Sequence, residues 1–163
     1  MSNRLIMHTS PKKSVDSSSQ PVIRRATAEE VWPLRHAVLR AGLSFETSQF
    51  DGDLDGTTRH FGAFDSRDTL CCLSLFRSTW NKSDAWQLRG MATAATHQRQ
   101  GLGQLLLMFA IDEAKKEKPS WTFWCNARTT AIGFYEQAGW STATDVFDIP
   151  TAGPHVKMHF LAP

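Results

Sequence analysis

The chain has 163 residues, a length that suits one folded domain. Its 18 Lys and Arg residues nearly balance its 16 Asp and Glu residues, and the net charge of +2 gives no support to binding along a nucleic-acid backbone. A hydrophobic fraction of 41% is ordinary for a globular protein, and no apolar run approaches the about 18 residues of a membrane span. We therefore expect a globular protein that binds neither nucleic acid nor a membrane.

The cysteines and the first residues predict a cytoplasmic protein. Cys71 and Cys72 are adjacent and Cys125 would be left over, so the three cannot form a disulfide framework. Near the start, the only apolar stretch is the three residues 5–7, which is too short for the hydrophobic region of a signal peptide.

The predicted elements begin after a serine-rich segment. Residues 1–20 contain six serines and few apolar side chains, a composition that predicts a disordered tail before a folded domain over residues 21–163. A short strand then runs from Val22 to Thr27. Thr27 and Glu30 resemble a capping box, so a first helix is predicted from there to about residue 41.

The middle of the chain predicts a hairpin, a further strand and the clearest helix. Residues 43–55 have no regular pattern and are expected to form a loop or a short helix. Residues 60–64 and 69–77 predict an antiparallel hairpin, and residues 85–93 predict another strand. Apolar residues recur at helical spacing over residues 101–118.

The last part of the chain predicts one strand, one helix and two more strands. Residues 121–125 are almost wholly apolar, as in a central strand covered on both faces. A helix is predicted over residues 130–138, ended by Gly139, and strands over residues 140–147 and 156–160. The order of elements predicts an α/β fold, a mixed sheet with helices packed on it.

A glycine-containing turn precedes the clearest helix. It consists of Gln98, Arg99, Gln100, Gly101, Leu102 and Gly103. Glycines let a ligand approach the backbone, and the first N–H groups of a helix lack partners, so the turn suits an anion such as a pyrophosphate. A side chain at Gly103 is expected to intrude on that anion. The dinucleotide-binding pattern is not met, because Leu106 stands where a small residue is required.

This turn resembles the pyrophosphate signature of the GNAT (Gcn5-related N-acetyltransferase) superfamily, which is Gln or Arg, two residues, Gly, one residue, then Gly or Ala. A set of downstream residues is similar to the family's second motif: Asn126, Ala131, Phe134, Tyr135, Gly139 and Trp140. The matches have the family's order and spacing over residues 85–140. The resemblance implies a central mixed sheet of six to seven strands, flanked by helices, whose fourth and fifth strands splay apart.

The resemblance also implies an acetyl-CoA-dependent N-acetyltransferase. Its acceptor would be a primary amine of a small molecule or peptide, which attacks the thioester directly. The implied cofactor-binding residues are Met91, Ala92, Thr93, Gln98, Arg99, Gln100, Gly101, Leu102, Gly103, Gln104 and Asn126. Among them, the backbone of Met91 and Thr93 would pair with the pantetheine arm, and the N–H of Met91 would polarise the thioester carbonyl.

The resemblance places the general acid at Tyr135, the only tyrosine in the chain. Helical periodicity alone would make Tyr135 a core aromatic. Some family members carry a catalytic Glu at the position of Gln87, and a neutral amide cannot accept a proton. The base is therefore a water chain, His155 or Glu46.

Other chemistries have less support in the sequence. The histidines lack metal-ligand spacing, so no metal is expected. Cys125 is interpreted as an ordinary buried cysteine, because no histidine is placed to activate it. A non-catalytic acyl-CoA-binding module is the main alternative, and a nucleic-acid binder would have to use tryptophans that look like core residues. The acceptor and the oligomeric state stay open, with a homodimer among the alternatives.

Overall fold

The computed structural model of the chain describes residues 20–161. The predicted tail, apart from its last residue, and the final two residues lie outside that range, so the tail stays a prediction. The strands are β1 (Val22–Ala26), β2 (Arg59–Phe64), β3 (Thr69–Trp80), β4 (Ser83–Thr93), β5 (Thr122–Arg128), β6 (Ser141–Thr142), β7 (Phe147–Ile149) and β8 (Gly153–Phe160). The helices are α1 (Ala28–Leu39), α2 (Leu102–Glu117) and α3 (Ile132–Gln137), with 3₁₀ turns at Phe45–Ser48, Ala95–His97 and Thr129–Ala131.

The strands form one mixed sheet in the order β1-β2-β3-β4-β5-β8-β6, and β7 also pairs with β8. Every pairing is antiparallel except β4 with β5, which is parallel. The predicted α/β architecture is confirmed. The described chain has eight strands rather than six or seven, because the strand predicted over residues 140–147 is interrupted. At the interruption, the Thr144 side chain takes the place of a backbone carbonyl and accepts a hydrogen bond from the Lys157 N–H at 2.9 Å.

Helices cover both faces of this sheet. Adjacent residues of a strand point to opposite faces, and the two neighbouring cysteines of β3 show this directly. Cys71 packs in the larger core together with residues of α2 and α3, whereas Cys72 packs with Val31 and Leu34 of α1. Among the helices of residues 20–161, none is long and apolar enough to cross a membrane.

The helix ends follow the signals in the sequence. The predicted capping box is present, since the Glu30 N–H donates to the Thr27 hydroxyl (3.3 Å) and the Thr27 N–H donates to the Glu30 carboxylate (2.9 Å). At the end of α3, Gly139 has φ +83°, and the Trp140 N–H donates to the Tyr135 carbonyl at 3.0 Å. This left-handed cap ends α3 and directs the chain into β6.

A buried ion pair holds the segment that the sequence left irregular. The guanidinium of Arg35 and the carboxylate of Asp53, both almost fully buried, lie 2.7 Å apart. The same carboxylate oxygen accepts from the Trp32 indole N–H (2.7 Å) and the Phe50 backbone N–H (2.8 Å), and Arg35 also donates to the Ser74 hydroxyl (2.8 Å). These bonds fix residues 48–53 against α1 and the sheet.

Candidate active site

The fourth and fifth strands pair over only part of their length. Parallel pairing runs from Ala85 to Leu88 of β4 and ends where Leu88 lies opposite Cys125. In the described chain no register pair joins the two strands beyond that point, so residues 89–93 and 126–128 diverge and leave strand edges facing a gap. The splay expected of the fourth and fifth strands is present.

A β-bulge shapes the β4 side of this gap. The register of β4 against β3 shifts so that Gly90 and Met91 together lie opposite Leu73. Gly90 has φ +66°, and a Cβ there would lie 2.5 Å from Nε of Arg35. Only glycine meets both conditions, the left-handed backbone and the close approach of Arg35. The bulge leaves Met91 at the edge of the gap.

The gap opens into a cleft of about 450 Å³. Six residues singled out in the sequence line it: Gln87, Met91, Asn126, Ala131, Tyr135 and His155. Ala92 and Thr93 do not, because Ala92 packs in the smaller core under α1, and the carbonyl of Thr93 accepts from the side chain of Gln98.

Tyr135 is both a core residue and part of the cleft wall. Its ring packs against Phe134 and Trp140, with centroids 5.1 and 5.2 Å away, and its hydroxyl lies 3.9 Å from Sδ of Met91. Burial, together with the neighbouring thiol of Cys125, raises the pKa of Tyr135 well above its ordinary value of 10. The phenol therefore stays protonated around neutral pH and can donate a proton.

All three cysteines are buried, unreactive thiols, and Cys71 and Cys125 share the larger core with Tyr135. Burial raises the pKa of Cys125 to about 12, that of Cys72 to about 12 and that of Cys71 to about 11. The thiolate is the nucleophilic form, so a covalent acyl-enzyme on Cys125 is disfavoured. This agrees with the interpretation of Cys125 as an ordinary buried residue.

His155 has one ring nitrogen committed to a hydrogen bond and the other available. Its Nδ1 lies 2.7 Å from the carbonyl oxygen of Gly153. A carbonyl only accepts, so Nδ1 carries the hydrogen and Nε2 of the neutral ring is the free acceptor. The imidazole is buried on β8 and lines the same cleft as Tyr135, so the predicted acid and one of the predicted bases share one cavity.

Gln87, which stands where some family members have a catalytic Glu, and the other predicted base, Glu46, differ in position. Gln87 lines the cleft, where its amide can hydrogen-bond but cannot accept a proton. Glu46 is exposed and does not line the cleft. Hydrogen bonds from its own backbone N–H and from the Ser44 hydroxyl lower the pKa of Glu46, which makes it a weaker base. Within residues 20–161 no three or more His, Cys, Asp or Glu side chains form a group that could hold a metal.

The predicted pyrophosphate loop is exposed, and its own side chains hold it in shape. Arg99 has φ +62°, an uncommon conformation for a residue other than glycine. Gln98 donates from its side-chain amide to the Thr93 carbonyl (3.1 Å), and Gln100 donates to the Thr96 carbonyl (3.0 Å). The loop thus presents backbone N–H groups and the Arg99 side chain to solvent.

The start of α2 fits an anion. Gly101 precedes the helix with φ +80°, and among residues 20–161 no side chain hydrogen-bonds to the N–H groups of the first turn. These N–H groups have no partner within the helix and carry the positive end of its dipole. Leu102 is buried, so it offers its backbone rather than its side chain. The loop and the helix start together suit a pyrophosphate.

The other glycine of the turn lies at a contact between two helices. A Cβ at Gly103 would lie 3.2 Å from Cε2 of Phe134 and 3.5 Å from Cε of Met91. The glycine therefore lets α2 pack closely on α3 and Met91, and its expected place beside the anion stays a prediction. Gln104 strengthens this contact by donating to the Phe134 carbonyl at 2.7 Å. The first turn of α2 therefore adjoins the cleft.

Sequence reasoning missed one side of the cleft. Arg40, Phe50, Arg89 and Arg128 all line it. They come from the end of α1, the irregular segment, the bulge strand and the end of β5, and no spacing in the sequence relates them. The sequence pattern also gave no indication of the buried Arg35–Asp53 ion pair, which positions Phe50.

Comparison with known proteins agrees with this geometry. Residues 44–159 match the model of the acetyltransferase (GNAT) domain family. The chain is 30% identical over 141 residues to the uncharacterised N-acetyltransferase YitI of Bacillus subtilis, covering 84% of this chain and 93% of that protein.

Solved structures show the same fold at low sequence identity. Escherichia coli ElaA superposes with a TM-score of 0.72 at 16% identity, covering 85% of this chain and 98% of ElaA. An aminoglycoside 6'-N-acetyltransferase complexed with coenzyme A superposes with a TM-score of 0.68 at 9% identity, covering 87% of this chain and 97% of that one. The family match over most of the chain and the splayed sheet lead to one conclusion: the protein is an acyltransferase that belongs to the GNAT N-acetyltransferase family.

Proposed function

We propose that the protein transfers an acetyl group from acetyl-CoA to a primary amine of a small molecule or peptide, and that the amine attacks the thioester directly. The observation that carries this proposal is that Tyr135 and His155 line one cleft, at the splay of β4 and β5 and beside the first turn of α2. A donor of protons and an acceptor of protons therefore face the same space.

The chain offers fitting groups along the length of acetyl-CoA, which would supply the activated acetyl group. The N–H groups at the start of α2 and the Arg99 side chain would hold the pyrophosphate. The unpaired edge of β4 at Met91 and Thr93 would bind the pantetheine arm as an added strand, with Asn126 on the opposite edge. The Met91 N–H would then polarise the carbonyl that is attacked.

Two protons move during the reaction. His155 accepts at Nε2 the proton that the attacking amine loses, directly or through one water. Tyr135 donates its phenolic proton to the departing sulfur as the carbon–sulfur bond breaks and the carbon–nitrogen bond forms. Transfer of a proton from His155 to Tyr135 through water in the cleft restores both residues, so the amine has lost one proton and the thiol has gained it.

Incubation of the full chain with acetyl-CoA and a panel of primary amines tests the proposal, with product and free CoA quantified by liquid chromatography and mass spectrometry. We expect an acetylated amine and an equal amount of free CoA. Bound acetyl-CoA without acetylation of any amine would favour the alternative, a non-catalytic acyl-CoA-binding module.

His155→Gln tests the assignment of the base. We expect kcat to fall about tenfold or more, because no imidazole is left in the cleft to accept the proton. The matched control is His97→Gln, since His97 lies outside the cleft and its side chain hydrogen-bonds only to Thr96 among the described residues. An unchanged rate and pH profile in His155→Gln would move the role to a water chain.

A further inference from the structure

Three arginines line the cleft without a carboxylate partner. Arg40 caps the end of α1, Arg89 precedes the bulge in β4, and Arg128 ends β5. All three are half-buried. Every ion pair formed by an arginine within residues 20–161 involves a different one: Arg24, Arg25, Arg35 or Arg59.

Their hydrogen bonds and ring contacts leave donors free. Arg40 donates to the carbonyl of its neighbour Leu39 at 3.0 Å. The Cζ atom of Arg89 lies 4.8 Å from the ring centroids of both Phe50 and Phe76, and that of Arg40 lies 5.3 Å from Phe50. In the described chain neither Arg89 nor Arg128 makes a side-chain hydrogen bond that meets ordinary distance limits. The rings hold the guanidiniums of Arg40 and Arg89 in place without satisfying their N–H groups.

The charge around Phe50 is unbalanced. Burial, with the positive charges of Arg128 and Arg35 nearby, lowers the pKa of Arg40. Burial also lowers the pKa of Arg89, which senses Arg35 and Arg40 as well as Asp53 and Asp51. Asp53 is already bound to Arg35. The four guanidiniums are those of Arg35, Arg40, Arg89 and Arg128, and the two carboxylates that they share are those of Asp51 and Asp53. Half-buried like charges repel one another, and an anion within hydrogen-bond reach would relieve that repulsion.

We infer that the acceptor amine carries an anionic group, a carboxylate or a phosphate, which Arg40, Arg89 and Arg128 bind while the amine faces Met91 and His155. This inference rests on the proposed function and names the class of its acceptor. A guanidinium binds either anion through paired N–H groups. The cleft volume of about 450 Å³ suits a small molecule such as an amino acid or a phosphorylated amine.

The anion belongs to the acceptor rather than to CoA. No residue of the loop 98–103 lines this part of the cleft, whereas that loop and the start of α2 supply the donors for a pyrophosphate. The arginines instead share the cleft with Phe50, Ile149 and Ala152. Amines that carry positive charge alone, such as polyamines, would be repelled by three guanidiniums.

Matched pairs of amines test the inference with the full chain and acetyl-CoA. The pairs are phenylalanine with phenethylamine, β-alanine with propylamine, and phosphoethanolamine with ethanolamine. Turnover is measured as free CoA, and binding to the protein saturated with CoA is measured by calorimetry. We expect the anionic member of at least one pair to have a kcat/KM at least about tenfold higher, and the pair that responds distinguishes carboxylate from phosphate.

Arginine variants locate the anion. Arg128→Gln and Arg89→Gln are each expected to raise the acceptor KM about tenfold with a smaller change in kcat, and Arg128→Lys to restore part of the loss. CoA affinity is expected to stay unchanged. The matched control is Arg77→Gln, which should change nothing, because Arg77 is exposed and lies outside the cleft.

Each outcome decides one of the two proposals. Equal turnover of neutral and anionic amines would overturn the inference and leave the acetyltransferase function standing. A loss of CoA affinity in the arginine variants, with the acceptor KM unchanged, would assign the anion to CoA and also overturn it. Binding of an anionic amine that depends on these arginines, without turnover, would support the inference and contradict the proposed function. Failure of both members of every pair to bind would overturn the inference.

Discussion

The two ends of the cleft present different chemical groups to their proposed ligands. At the proposed cofactor end, the groups that face the ligand are backbone N–H groups of residues 98–104 and the free edge of β4. At the proposed acceptor end, they are the side chains of Arg40, Arg89 and Arg128, of which Arg40 and Arg89 lie against the ring of Phe50.

This difference explains why one end can be read from the sequence and the other cannot. A backbone site constrains residue types locally, because glycine is needed where the turn has a positive φ. A side-chain site is assembled by the fold from distant segments, so its residues have no fixed spacing. Substitution of one side chain can change the ligand of such a site, and it leaves unchanged the loop that is proposed to bind acetyl-CoA.

The acceptor end should be the part disrupted by Asp53→Ala. This change leaves the Arg35 guanidinium buried without its carboxylate and removes the partner of the Phe50 N–H. Breaking a buried pair costs about 3–5 kcal/mol, so we expect a loss of that size in the free energy of unfolding measured with urea. In the variant that is still folded, the acceptor KM should rise while CoA affinity is kept.

The control for this change is Asp55→Ala, in the same segment. Asp55 is exposed and its carboxylate accepts hydrogen bonds only from Thr57 in the described chain, so removal of the carboxylate should leave the unfolding midpoint nearly unchanged. Equal destabilisation by both variants would mean that the buried pair does not hold the segment.

Tyr135→Phe tests the chemistry between the two ends. We expect kcat to fall about a hundredfold, because the departing sulfur loses its proton donor, with CoA affinity nearly unchanged. The free energy of unfolding should fall by no more than about 1.5 kcal/mol, the scale of one hydrogen bond. Trp140→Phe is the packing control, since Trp140 contacts the same ring but does not line the cleft. A comparable loss of kcat in Trp140→Phe would assign the effect to packing.

Two alanine substitutions separate the roles of the glycines at the cofactor end. In Gly101→Ala the left-handed backbone costs about 1–2 kcal/mol, and we expect the turn to shift and CoA affinity to fall about tenfold. In Gly103→Ala the Cβ meets the edge of the Phe134 ring, so CoA affinity should change much less. Calorimetry with CoA compares the affinities of the two variants. A larger loss of CoA affinity in Gly103→Ala than in Gly101→Ala would indicate that Gly103 is the position nearest the pyrophosphate.

The smallest expected effect is a pH dependence of stability at the acceptor end. Burial lowers the pKa of His60 below its ordinary value of 6.5, and the ring lies 2.6 Å from the Ser74 hydroxyl in the network around Arg35. The unfolded chain takes up a proton near pH 6.5, whereas the folded chain does so only at lower pH. Stability is therefore complete above pH 6.5 and falls below it. Urea titrations should show a weaker dependence in His60→Gln, and an unchanged slope would place the dependence elsewhere.

The sequence predicted the strands and helices wherever a local signal existed. The capping box at Thr27, the glycine that ends α3 and the central strand after α2 all appear where their patterns indicated. The break between β6 and β7 was missed because it depends on the Thr144 side chain meeting a strand far along the chain.

The candidate site likewise contains residues that the sequence indicated and residues that it did not. The motif pointed to Tyr135, Asn126 and the loop, and His155 lies in the same cleft although no motif includes it. The packing contact at Gly103 could not be predicted, because the direction of a missing Cβ depends on how α2 packs on α3. Arg35 shows the limit most clearly, since its burial and its approach to Gly90 follow only from the three-dimensional arrangement.

The burial of all three cysteines has a practical consequence for enzymology. An Ellman-type reagent reacts with thiolates, and the raised pKa values and burial of Cys71, Cys72 and Cys125 keep the folded protein from consuming it. Colour that develops in such an assay would then report released CoA alone. On denaturation the same reagent should count three thiols per chain, so one measurement gives turnover and, after unfolding, the concentration of intact enzyme.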